Sequence, residues 1–193
     1  MTLTNEPTPW DQQSVRTERL ELRAVGVEDL AALYEINTDP RTWRHLPEGR
    51  HRDEATTRAW IGRAARRWQE DGLSYWTARL AGDGTVVGVG GAQLQAATGY
   101  WNLYYRLAPA HWGRGYATEL SRAAITAAHR HAPAVPLVAW IHSHNADSRK
   151  VADRLGLTDQ GLRRDPTQGD LLHLYADRPL PLAEPLPPAE PLS

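Results

Sequence analysis

The chain has 193 residues, and 22 Lys and Arg residues against 23 Asp and Glu residues give it a formal net charge of −1. Proteins that bind nucleic acid usually carry a basic surface, so we expect no nucleic-acid partner. The sequence has no cysteine, which excludes disulfides, thiolate metal ligands and a cysteine nucleophile. Its start is polar and no apolar run is long enough to span a bilayer, so we expect a cytoplasmic protein without a membrane partner.

The hydrophobic pattern predicts a mixed α/β domain with a mostly antiparallel central sheet flanked by helices. Apolar runs predict six strands, at residues 19–23, 75–80, 86–94, 100–107, 137–141 and 171–175. Apolar residues at helical spacing predict four helices, which begin near Asp29, Asp53, Ala117 and Ala146. The predicted apolar face of the second helix consists of Ala55, Ala59, Trp60, Ala64 and Trp68.

Composition divides the chain into three parts. Residues 1–15 are predicted to be a flexible arm, and residues 16–177 a single folded domain of ordinary size. Residues 178–193 are rich in proline and lack helical or strand periodicity, so we expect an extended or disordered tail.

The most informative stretch joins the predicted strand 100–107 to the helix that follows it. Gly113 and Gly115 lie in this turn, and Thr118 lies where the helical pattern begins. Glycine lets a main chain approach a ligand closely, and a helix start offers unpaired N–H groups with a partial positive charge. The stretch therefore predicts a cradle for an anion, best suited to a phosphate or a diphosphate.

Three segments resemble the GNAT superfamily of N-acetyltransferases, in the branch that acetylates the N-termini of ribosomal proteins. Residues 19–23 resemble the opening strand of that branch, residues 112–119 its acyl-CoA diphosphate loop, and residues 145–157 its second cofactor motif. The resemblance covers residues 16–177 and implies the acyl-CoA N-acyltransferase fold. Trp112 stands where the family usually has Gln or Arg, which affects cofactor binding little because the loop acts through main-chain N–H groups.

The resemblance implies that acetyl-CoA is the cosubstrate. The residues it assigns to the diphosphate are Gly113, Arg114, Gly115, Tyr116, Ala117 and Thr118, with a charge-assisted contact from Arg114. It assigns the pantetheine arm to Tyr105 and Leu107, on a strand that splays from its neighbour, and to Asn145. The competing interpretations are an ordinary helix-start turn, a plain central strand and, for Asn145, a helix N-cap.

The implied reaction is direct attack of a primary amine on the thioester in a ternary complex. It needs no covalent enzyme intermediate, which agrees with the missing cysteine. The family pattern assigns catalysis to Tyr105, whose main-chain N–H would polarise the thioester carbonyl, and to Ser148, whose hydroxyl would contact the CoA sulfur. Ser148 could instead serve only to support the helix cap. The implied acceptor is a protein or peptide N-terminus, or a small amine.

On the acceptor side, we expect Trp43 and His142 to bind substrate. Trp43 lies in the polar connection between the first two helices, which borders the acceptor in relatives. His142 and His144 alternate at the end of a strand, so either could take a proton from the amine, and the alternative is that both are surface histidines. The eight histidines show no spacing typical of a metal site, so we expect no metal.

Two other functions stay open. The sequence does not clearly identify a general base, which is compatible with an acyl-CoA-binding sensor that catalyses no transfer. An antibiotic or polyamine acetyltransferase would need an acidic acceptor cleft, to which Glu48, Asp53 and Glu54 could contribute. An unrelated nucleotide-binding domain is disfavoured because the Gly-x-x-x-x-Gly-Lys signature is absent. Relatives are often dimers, so the resemblance leaves a homodimer open.

Overall fold

The computed structural model describes residues 12–167 and 169–180. The strands of this part are β1 Ser14–Arg16, β2 Leu20–Ala24, β3 Tyr75–Leu80, β4 Val86–Gln95, β5 Tyr100–Leu107, β6 Leu137–Ile141, β7 Thr158–Arg164 and β8 Leu171–Ala176. The α-helices are α1 Leu30–Thr38, α2 Glu54–Glu70, α3 Tyr116–His131 and α4 Ala146–Arg154. Every predicted strand and helix is present, with its ends close to the predicted positions. Most of the predicted arm and tail lies outside the described residues.

The eight strands form one sheet in the order β1-β2-β3-β4-β5-β6-β8-β7. Only β5 and β6 pair in parallel, and the other neighbours pair antiparallel. Helices α3 and α4 pack on one face with the larger core, and α1 and α2 cover the other face. The predicted fold class, a mostly antiparallel sheet flanked by helices, is therefore confirmed.

The buried face of α2 differs from the predicted one. The side chains that this helix buries are Thr57, Ile61, Ala64 and Trp68. Ala55 and Ala59 are exposed and Trp60 is half-buried, so the prediction was wrong by part of a turn. A hydrogen bond explains the difference, because the Thr57 hydroxyl lies 2.8 Å from His51 Nδ1 and can therefore be buried at low cost.

Two edge strands were not predicted. Ser14 and Val15, assigned to the flexible arm, form β1 and pair with β2. Strand β7 has the sequence Thr-Asp-Gln-Gly-Leu-Arg-Arg, which carries no apolar alternation. Its register against β8 shifts between Asp159 and Leu162. Edge strands have one unpaired side, and their side chains need not follow the buried pattern that sequence analysis detects.

Strands β5 and β6 separate soon after they meet. Their pairing is recorded only at Trp101–Leu137 and Asn102–Val138, although both strands continue beyond these residues. The space between them is a cleft of about 100 Å³, which is lined by both strands, by α4 and by the connection between α1 and α2. The splay predicted for β5 is thus a feature of this sheet.

Candidate active site

The predicted diphosphate loop lies between the end of β5 and the start of α3. Gly113 and Gly115 both adopt left-handed backbone conformations, with φ of 74° and 83°. Gly115 is the N-cap of α3, and no side chain of the described residues caps this helix. The first-turn N–H groups, from Tyr116 to Thr118, therefore have no side-chain cap and can bind an anion. A Cβ at Gly113 would meet no atom within 4 Å, so the loop is open at this point.

Trp112 ties the loop to the strand. Its indole Nε1 donates a hydrogen bond to the Leu107 carbonyl at 2.8 Å, while the side chain stays 43% exposed. The bond satisfies a main-chain acceptor at the end of β5, where β6 no longer pairs with it. The departure from the family's usual Gln or Arg therefore has a structural role at the end of β5.

Arg19 holds the loop in place from the start of β2. Its Nη1 donates to the Arg114 carbonyl at 2.8 Å, and its guanidinium lies 4.8 Å from the Tyr116 ring centroid. Its Nε donates to Glu119 at 2.7 Å, and the Thr17 hydroxyl donates to the same carboxylate at 2.6 Å. Burial would raise the pKa of Glu119, but the hydrogen bonds from Thr17 and Arg19 outweigh it and hold this pKa below its ordinary value. Glu119 is therefore an ionised anchor and not a proton acceptor.

The main-chain N–H groups of Tyr105 and Leu107 lie on the side of β5 that faces away from β4. The Trp101 N–H donates to the Pro136 carbonyl, just before β6, at 2.9 Å. N–H groups alternate in direction along a strand, and the register of β5 against β4 shows no shift from Tyr100 to Leu107. Tyr105 and Leu107 therefore direct their N–H groups to the same side as Trp101, where β6 has turned away. An extended ligand could pair with these groups as an added strand would.

The side chains of Tyr105, Asn145 and Ser148 line the same cleft. Asn145 Oδ1 accepts a hydrogen bond from the Ser148 main-chain N–H at 3.3 Å, so Asn145 is the N-cap of α4. The Tyr105 hydroxyl is buried and faces the Ser148 hydroxyl, yet it makes no hydrogen bond of ordinary geometry to any described residue. Burial raises the pKa of Tyr105, and the nearby Ser148 hydroxyl opposes part of this rise.

Histidines line the opposite end of the cleft, on the α1–α2 side of the sheet. His45 lies in the connection between these helices and His142 directly follows β6, with ring centroids 6.0 Å apart. His144 is exposed, and its ring lies 5.3 Å from that of His142. Burial lowers the pKa of His45 to about 4, and the charge of Arg106 adds to the lowering. His45 is therefore neutral at pH 7.

Trp43 supports the wall of the cleft from behind. Its indole is only 8% exposed, and its Nε1 donates to the Asn37 carbonyl at 2.7 Å. The guanidinium of Arg106 lies over the indole, 3.3 Å from its centroid. Arg106 belongs to the cleft lining and Trp43 does not. Arg106 therefore lies between Trp43 and the cleft, and the contact of Trp43 with substrate stays a prediction.

Sequence analysis did not identify Arg106 or His45 as site residues. A signal for Arg106 exists in β5, because alternation places Tyr104 and Arg106 on one face and a charged residue is unusual in such an apolar strand. His45 lies in the same polar connection as Trp43, which was expected to border the acceptor, but it was given no role. This residue reaches the cleft only because its loop folds back onto the end of β6.

The acidic residues considered for an acceptor cleft lie elsewhere. Asp53 caps α2 by accepting a hydrogen bond from the Thr56 N–H at 2.7 Å, Glu54 pairs with Arg58 at 2.7 Å, and Glu48 is exposed. Within the described residues, the lining of the cleft contains no carboxylate.

The fold and the cleft define an acyl-CoA N-acyltransferase architecture, and comparison with known proteins gives the family. The acetyltransferase (GNAT) domain model matches residues 19–158, so the chain belongs to this family and is an acetyltransferase by family. The uncharacterized protein YkkB of Bacillus subtilis (strain 168) is 28% identical over 145 residues, which cover 73% of this chain and 83% of YkkB.

Solved structures show the same fold. An acetyltransferase from Agrobacterium tumefaciens str. C58 is 27% identical with a TM-score of 0.72, over 84% of this chain and 93% of that one. RimL, a ribosomal L7/L12 alpha-N-protein acetyltransferase in complex with coenzyme A, is 19% identical with a TM-score of 0.70, over 84% and 96%. The predicted GNAT membership is confirmed, whereas the likeness to RimL shows the shared fold alone.

Two kinds of feature are absent from the described residues. Residues 12–167 and 169–180 contain no helix with the length and apolar character needed to cross a membrane. The same ranges contain no cluster of three or more His, Asp or Glu side chains that could hold a metal ion.

Proposed function

We propose that the protein transfers the acetyl group of acetyl-CoA to a primary amine in a ternary complex. The observation that carries this proposal is the cleft between β5 and β6, which Tyr105 and Ser148 both line and toward which β5 directs the unpaired main-chain N–H of Tyr105. Strand β5 leads directly into the glycine loop. A diphosphate at α3 and a thioester beside Tyr105 would thus lie along one continuous path.

Each part of the path has a chemical task. The N–H groups of the loop would bind the diphosphate of acetyl-CoA, and the N–H groups of Tyr105 and Leu107 would pair with its pantetheine arm. Asn145 Oδ1 is used by the helix cap, so a bond from this side chain to the arm would be donated by Nδ2. The cytoplasmic location expected from the sequence stays a prediction.

The reaction would proceed by direct attack. The amine nitrogen forms a bond to the thioester carbonyl carbon, and the negative charge that develops on the carbonyl oxygen is stabilised by the Tyr105 N–H. The C–S bond then breaks, its electron pair stays on sulfur, and the Ser148 hydroxyl solvates the thiolate. The amine loses one proton, for which His142 in the cleft lining is the predicted acceptor, and the thiolate gains one as CoA leaves.

The relatives support the amine acceptor without defining it. RimL acts on the α-amino group of a ribosomal protein, which makes a protein or peptide N-terminus the first acceptor to test. The same scaffold hosts many acceptors, so small amines belong in the same panel. A polycationic acceptor is disfavoured because no carboxylate lines the described cleft.

The proposal is tested by measuring release of the CoA thiol from acetyl-CoA with a panel of peptides and small amines, against a control without amine. We expect Ser148→Ala to lower kcat about tenfold with little change in the KM for acetyl-CoA, because it removes one bond to the developing charge on sulfur. Tyr105→Phe is the matched control. It removes the hydroxyl but keeps the main-chain N–H, so kcat should change less than about threefold. Tight CoA binding without turnover on any amine would support the sensor alternative instead.

A further inference from the structure

Arg106 is a buried cation on the acceptor side of the cleft. Its side chain projects from β5 on the α1–α2 face of the sheet, and the residue is 5% exposed. It lines the cleft together with His45 and His142. The inference drawn from this residue rests on the proposed acetyl transfer, because it concerns the acceptor that the cleft would take.

The described partners of Arg106 are all neutral. Its Nε donates to the Tyr104 hydroxyl at 2.9 Å, its Nη1 donates to the Thr42 carbonyl, and its guanidinium stacks on Trp43. None of the ion pairs recorded among the described residues includes Arg106. Burying a charge without a counter-ion is costly, and a ligand that supplies the counter-ion recovers part of that cost.

The surroundings of Arg106 also select against a cation. No carboxylate lines the described cleft, and His45 is kept neutral beside the guanidinium. A second positive charge would therefore meet repulsion at low effective dielectric. A neutral amine is favoured over its ammonium form in the same field, and only the neutral amine can attack a thioester.

We propose that Arg106 determines acceptor specificity, by binding a carboxylate or phosphate group that the acceptor carries close to its reacting amine. The acceptor is thus an amine with a neighbouring oxyanion, such as an amino acid or a peptide with an acidic first residue. Guanidinium suits both oxyanions because its N–H groups form a planar fork. Acceptors that carry a phosphate and acceptors that carry a carboxylate, measured separately, distinguish the two groups.

The test compares acceptors that carry an oxyanion with neutral partners that lack it. The pairs are aspartic acid α-amide with asparaginamide, glycine with glycinamide, and phosphoserine amide with serine amide, each measured as kcat/KM by CoA release. In the wild type, we expect at least one anionic member to exceed its neutral partner roughly tenfold more than in Arg106→Gln. Arg106→Lys should keep part of this ratio. Arg44→Gln, which removes an exposed charge from the same connection, should leave it unchanged.

The ratio of kcat/KM between an anionic acceptor and its neutral partner does not depend on how much of a variant is folded. Comparing this ratio between variants cancels the differences in basicity between the amines. Equal ratios in the wild type and in Arg106→Gln, with turnover intact, would overturn the inference alone. Absence of turnover on every amine would overturn the proposed function. In that case the anion site can still be tested by titrating succinamate and inorganic phosphate into the CoA complex. The histidine NMR resonances report the binding. Shifts in the wild type that are lost in Arg106→Gln support the anion site, and no shift in the wild type refutes it.

Discussion

Replacing Gly115 by glutamate tests the diphosphate loop directly. Gly115 has a φ of 83°, and a Cβ there would lie 3.3 Å from Arg19 Nη2. A residue other than glycine in the left-handed conformation costs about 1–2 kcal/mol. We therefore expect the variant to fold, with a Tm lower by roughly 2–8 °C.

The effect on CoA binding should be much larger than the effect on folding. The new carboxylate would lie beside the first-turn N–H groups of α3, where the diphosphate is expected. Two unit charges 5 Å apart interact by about 3 kcal/mol at an effective dielectric constant near 20. One displaced charge-assisted hydrogen bond adds about 1.5 kcal/mol. The sum of about 4.5 kcal/mol corresponds to a loss of CoA affinity of roughly a thousandfold.

Titration calorimetry with CoA measures this loss, and Gly99→Glu is the matched control. Gly99 has a φ of 69° with no atom within 4 Å of a Cβ, so it imposes the same strain and the same charge. It precedes β5, at the opposite end of that strand from the loop, about 25 Å away. The assignment of the loop is refuted if the two variants bind CoA with Kd values within threefold of each other. Gly115→Ala, which adds strain without charge, should give an intermediate Kd.

Two further predictions concern the hydrogen bonds of Arg19 and the pKa of His45. Arg19→Ala removes the bond to the Arg114 carbonyl and should raise the Kd for CoA about threefold to tenfold. Arg23→Ala removes an exposed ion pair with Glu21 and should leave this Kd unchanged. Equal effects of the two variants would contradict the role of Arg19 in holding the loop. His45 has a pKa of about 4 in the folded state, below its unfolded value, so the unfolded state binds more protons and stability should fall as the pH drops from about 6.5 to 4. Urea unfolding at several pH values should show that the free energy of unfolding falls less steeply with decreasing pH in His45→Gln than in the wild type. An unchanged slope would contradict the lowered pKa of His45.

The parts of the fold that the sequence predicted are those with a local signature. Strand β5 and helix α3 have strong periodicity, and Gly113 and Gly115 mark the turn between them. Both glycines adopt the left-handed conformation that makes glycine necessary, so residue type and backbone geometry agree at this point. The α4 cap was predictable for the same reason, because Asn145 is a preferred N-cap residue and caps the helix it precedes.

The acceptor side could not be predicted in this way because its contacts join distant parts of the chain. The bond from Arg106 to the Thr42 carbonyl spans 64 residues, and the contact of His144 with the His45 carbonyl spans 99. No spacing in the sequence encodes such pairs. The edge strands β1 and β7 were not predicted for a related reason. Their pairing with β2 and β8, rather than their own residues, determines that they are strands.

In the proposed reaction, strand β5 would contact the cofactor with its main chain and the acceptor with its side chains. Its main chain faces the gap to β6, where replacing side chains would not remove the N–H groups of Tyr105 and Leu107. Its side chains at Tyr104 and Arg106 face the α1–α2 connection, and there each replacement changes what the cleft can bind. We therefore expect cofactor recognition to be insensitive to most substitutions in β5, and acceptor recognition to be sensitive to the positions whose side chains face the α1–α2 connection. A family that keeps one cosubstrate and varies its acceptors needs this division between main chain and side chain.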